Sequence, residues 1–168
     1  RQIFPSGQLG PVMRFDPATS RRNIQMGYYD TMRFMRELPG QLYYFSEKAD
    51  GFAAFAALPE TAIKAAGIPL RLPEGLSPRR ALFEHILPAV AAELRLPREA
   101  GYDDLLLALL EHRAEQLGIG RFRWYTPAQL QAVIAESTAL PEEPRRPLLR
   151  SRPLEAAEIL AAALPLLG

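Results

Sequence analysis

Cysteine is absent from the 168 residues, and lysine (Lys48, Lys64) and histidine (His85, His112) occur only twice each. Without thiols the chain forms no disulfide and offers no cysteine nucleophile, zinc finger or iron–sulfur ligand set. Each histidine lies in an ordinary helical run with no carboxylate at metal-ligand spacing, so a solvated or capping role is expected, with no metal site and no cofactor. Glycine-rich phosphate cradles, a nucleophile elbow and a metalloprotease helix are missing too. The adjacent acids Asp103-Asp104 suit a helix N-terminus, and Glu142-Glu143 fall in a proline-rich stretch. Neither pair has the buried setting that shifts a carboxyl for acid–base work. Long uncharged runs are short or broken by proline, so no membrane span is expected. No basic-then-apolar leader opens the sequence, so no secretory signal is visible, and a cytoplasmic location is the default expectation. No catalytic residue is assigned.

What is present is an ordinary folding composition. The apolar share is 48% and the charged share 23%, enough for a packed core, and the abundance of Leu and Ala favours helix. All but two of the 20 basic residues are arginine, whose fork matches phosphate and carboxylate in a way lysine does not. The net charge is only +1, so the whole molecule is not a polycation. Its distribution is uneven: residues 1–40 hold six arginines (Arg1, Arg14, Arg21, Arg22, Arg33, Arg36) against three acids (Asp16, Asp30, Glu37).

Residues 1–40 read as extended segments around turns. "QLGPVMRFD" suggests a strand ending at Asp16-Pro17, and Ile24, Met26 and Tyr28 alternate with period two. Asp30 is read as the cap of a short helix that stops at Pro39-Gly40. Leu42–Phe45 and Phe52–Ala57 around Lys48–Gly51 read as a β-hairpin. Pro59 to Gly67 outlines a short helix. Ser77 caps a helix starting at Pro78, which Pro88 should kink. Residues 102–117 form a helix apolar on well over one face, with Gly118 as its left-handed stop. Such a helix is buried centrally or against a second subunit. Residues 119–125 predict a strand with aromatics on one side and Arg121 and Arg123 on the other. Thr126-x-x-Gln129 with Pro127 is a capping box, residues 138–153 are a Pro- and Arg-rich strap, and a last helix starts near Pro153.

The expected fold is α+β and predominantly helical. A small hairpin-containing part (1–70) packs on a helical part (71–168) carrying one extra strand, as two subdomains or one continuous domain.

Two local phrases resemble known families. "LGIG" (117–120) resembles the glycine hairpin of helix–hairpin–helix modules. "RFRWYTPAQLQAVI" resembles the strand-into-helix phrase of the MerR-type regulators, where it follows a helix-turn-helix. A strand intervenes after the first phrase and no helix-turn-helix precedes the second, so no functional residue is carried over.

The sequence therefore points to a non-catalytic binding protein associated with DNA or RNA. Arg14, Arg21, Arg22 and Arg33 are expected to position a phosphate backbone, with Arg121 and Arg123 extending the patch. The alternative is a structural or adaptor subunit, homo-oligomeric or bound to a partner protein through residues 102–117 and 153–164.

Overall fold

Asp16 and Pro17 start a helix rather than end a strand. Asp16 is extended, as a residue before proline must be, and that is also the conformation of an N-cap. Its carboxylate accepts hydrogen bonds from the Ala18 and Thr19 amides, and α1 then runs from Pro17 to Met35. The period-two reading of Ile24, Met26 and Tyr28 is thereby overturned. Met26 is buried, while Ile24 and Tyr28 are exposed on the opposite side, a division that helical and not strand periodicity produces. Asp30 caps nothing; it is a buried residue in the middle of α1.

The computed structural model describes residues 3–10, 16–73, 75–139, 151–165 and 167. The expected 138–153 strap and Arg14 fall largely or wholly outside them. Within them the chain is mostly helical, with one two-stranded sheet. That sheet pairs β1 (Tyr44–Phe45) in parallel with β2 (Trp124–Tyr125), Tyr44 opposite Trp124 and Phe45 opposite Tyr125. The antiparallel hairpin is therefore incorrect. Its second arm is a helix, α2 (Gly51–Ala56), because the Asp50 carboxylate caps the Ala53 amide at 2.8 Å and the alanines between Phe52 and Phe55 favour helix. The 119–125 strand likewise shrinks to its last two residues. Arg123 N–H bonds back to the Arg121 carbonyl, a tight turn that breaks the alternation.

Several helix boundaries follow their local chemistry. α3 (Glu60–Leu70) runs through Gly67 and closes beyond it. Arg71 takes the left-handed φ of 52°, and the Leu72 and Arg71 amides return to the Gly67 and Ile68 carbonyls, a Schellman closure. Ser77 caps α4 (Pro78–Arg80), which continues through a π-helical stretch, Ala81–Ile86, into α5 (Leu87–Glu93). The π turn answers the expected kink: Pro88 has no N–H to donate, and Leu87 N–H reaches five residues back to Leu82. α6 (Tyr102–Gln116) ends at Gly118 with φ 69°. α7 (Pro127–Ala139) begins with the expected reciprocal bonds between Thr126 and Gln129. α8 (Arg152–Ala163) is capped by Ser151.

Leu105 to Glu111 are buried at seven successive positions, so α6 is the central rod around which the chain folds. Ala156, Ala157, Leu160 and Leu164 bring α8 into the same core as Tyr43, Phe45, Leu82 and Leu130. Residues on both sides of position 70 contribute to it. The apolar faces of 102–117 and 153–164, on which the expectation of an assembly rested, are thus covered by the chain itself. No helix among the described residues is long and apolar enough to cross a membrane.

α2 meets the start of α6 at Gly51, where an added Cβ would lie 2.0 Å from the Tyr102 carbonyl oxygen. That neighbour is backbone and cannot swing away. Gly51→Ala is expected to destabilise the fold by about 2–3 kcal/mol, read as a lower urea midpoint at unchanged slope.

Candidate interaction surface

α1 is secured to the body by polar groups more than by apolar packing. Its buried residues are Met26 and Asp30. Asp30 accepts from the Tyr44 hydroxyl (3.0 Å), from Arg33 (3.1 Å) and from the Ser6 amide (2.9 Å). Residues 3–10 lie along the helix, with Arg22 and Asn23 donating to the Gln8 and Leu9 carbonyls. Tyr29 stacks on Tyr44 with ring centroids 4.8 Å apart and meets Trp124 at 5.5 Å.

The loop after α1 is gripped from two sides. Arg33 donates to the Gly40 and Gln41 carbonyls, and Arg121 donates from Nε to the Leu42 carbonyl at 2.9 Å. From below, one oxygen of Glu111 on α6 accepts the amides of Gln41, Leu42 and Tyr43 at 2.8–3.0 Å. Gly40 is required at this turn: its φ is 99°, and a Cβ would strike Phe45, the Tyr43 carbonyl and Glu111. Burial pushes the Glu111 carboxyl above its ordinary value, against the three amide donors that favour the charged form.

These contacts sort the expected phosphate-binding residues. Arg33 is paired with Asp30 and only its edge reaches solvent. Arg121 is half-buried, bound to Leu42 and to the carbonyl and hydroxyl of Ser6, with its guanidinium over Phe122. Arg123 is exposed and lies over the Tyr125 ring at 4.5 Å, sharing no partner with Arg121. Arg21 and Arg22 stand exposed on α1. Arg14 lies outside the described residues. Two of the five arginines in view thus serve the fold, and three keep solvent-facing charge. His85 is exposed, and His112 sits 3.1 Å from the Gln116 amide. No cluster of histidine and acidic side chains suited to a metal occurs among the described residues.

The surface that sequence patterning missed is the far side of α1. Ile24, Tyr28 and Met35 recur at helical spacing and are 73%, 58% and 72% exposed, forming one stripe opposite Met26 and Asp30. Arg21, Arg22 and the C-cap Arg36 are exposed on the same helix, and its one acid is the buried Asp30. Spacing i, i+4, i+11 was the available signal, masked by the shorter alternation through Met26.

Comparison with protein-family models, curated proteins and solved structures yields no match.

Glu111 supplies a direct test. Glu111→Ala leaves three amides without their acceptor and is expected to cost at least about 3 kcal/mol in urea unfolding. Glu111→Gln keeps an acceptor oxygen and costs less. Because the folded carboxyl holds its proton more tightly than the unfolded one, its contribution is full below the ordinary value of 4.5 and is lost as pH rises through the folded value. The wild-type stability curve should therefore fall relative to that of Glu111→Gln as pH climbs from 4.5; parallel curves would contradict this.

Proposed function

We propose that the chain is a non-catalytic binding protein that receives an acidic, amphipathic protein segment on the outward face of α1. The observation that carries this is the apolar stripe of Ile24, Tyr28 and Met35, left in water on a nineteen-residue helix with no exposed acid. Clustered apolar exposure on a stable element is what a protein partner covers. Arg21 and the C-cap Arg36 stand beside the stripe and favour carboxylates on that partner, while Arg22 lies on the side of Met26 and bonds the Gln8 carbonyl. The same charges oppose pairing with a second copy of α1, which would set arginine against arginine. This is an adaptor role, but through α1 instead of the leucine-rich helices.

DNA or RNA association is the second reading. It is favoured by the exposed arginines of α1, with Arg123 at a separate point and Tyr28 available for stacking. It leaves Ile24 and Met35 unexplained.

Fluorescence anisotropy with labelled probes separates the two. A helical peptide with an apolar face and acidic flanks should bind, and Ile24→Glu/Met35→Glu should weaken it by about tenfold or more. Arg21→Ala/Arg22→Ala should weaken it less, and less still at high salt. An oligonucleotide that binds instead, with a steep salt dependence lost in Arg21→Ala/Arg22→Ala but kept in Ile24→Glu/Met35→Glu, would overturn the protein-partner reading.

A further inference from the structure

A second site, lined by no residue of α1, lies where the π-helical stretch and α5 meet the start of α6. A cavity of about 590 Å³ opens there, walled by Phe83, Leu87, Pro88, Ala91, Leu96 and Leu105. Its volume is that of a small-molecule pocket. An aromatic group stands at its edge: Tyr102 meets Phe83 at 5.5 Å, Phe52 at 5.8 Å and Phe55 at 6.3 Å between ring centroids. The wall at Phe83 belongs to the π-helical stretch, an irregularity that recurs at binding sites because it widens the helix locally.

The polar groups lining this apolar space are few and of one kind. Arg98 and Tyr102 both line it. Neither side chain has a hydrogen-bond or ion-pair partner among the described residues, and both are exposed to solvent at the mouth. Each can donate a hydrogen bond, and one carries a fixed positive charge. The two acids of the first α6 turn do not oppose it. Asp103 is committed to the Gly51 amide and Asp104 to the Gly101 amide, and neither lines the cavity.

We propose that this cavity binds a small apolar monocarboxylate, its hydrocarbon body between α5 and α6 and its carboxylate accepting from Arg98 and the Tyr102 hydroxyl. An uncharged apolar molecule fits the walls but not the two donors. A phosphate or other strongly hydrated anion fits the donors but not the walls. The site is independent of α1 and of any partner bound there.

Isothermal titration with decanoate and decanol tests this, with amide chemical-shift mapping to place the site. Decanoate should bind saturably at one site and shift residues 83–105. Arg98→Ala should weaken decanoate about tenfold while leaving decanol unchanged. Ala92→Phe places a ring at an exposed position on the cavity lip, so the fold survives, and it should abolish binding of both. Absence of saturable binding overturns the proposal. So does equal loss of decanoate and decanol in Arg98→Ala, or shifts that fall on α1 instead.

Discussion

The structure depends on how one short loop is held. Residues 40–43 follow α1, turn sharply and enter the sheet, and six of their backbone polar groups are met by charged side chains. Glu111 takes three amides, and Arg33 and Arg121 take three carbonyls. Backbone groups that leave water without partners cost more than paired ones return, so this loop has one well-defined position. Tyr43, Tyr44 and Phe45, which follow directly, are all buried. The position of the loop therefore sets the position of the aromatic side of the core.

The same grip explains why α1 can expose so much of itself. A surface helix ordinarily buries an apolar stripe to stay attached. Here attachment comes from Asp30, Arg33, the Tyr29 stack and the segment 3–10, which leaves the apolar stripe free to face outward. Charge that a composition-level view assigns to a ligand is thus divided. Arg33 and Arg121 hold the fold, while Arg21, Arg22 and Arg36 remain exposed on α1.

Much of the helical framework was legible because its signals are local. Ser77 before Pro78, the Thr126–Gln129 box, the acids at the start of α6 and Gly118 after it each satisfy backbone groups within a few residues. What failed depended on ambiguity or distance. Asp16-Pro17 ends a strand or opens a helix with the same backbone angles, and Lys48–Gly51 serves a hairpin turn or a helix cap equally well. The parallel pairing of Tyr44 with Trp124 spans most of the chain, and no short pattern announces it. The breadth of the α6 apolar surface was visible, but whether this chain or another covers it was settled only by packing. For the candidate surface, arginine identity was legible and arginine partnership was not. Ser6, Leu42 and Asp30 are far from Arg121 or hidden on the inner face of α1.

Amide hydrogen exchange on Arg121→Ala tests most directly whether the loop locks α1 to the body. This variant removes the bonds to Leu42 and Ser6 without touching α1 or α6. The account predicts that Gln41–Tyr43, Ser6 and the Tyr29–Arg33 turn of α1 lose protection together, while α6 and α8 keep theirs. Faster exchange at the loop alone, with α1 protected as before, would contradict it.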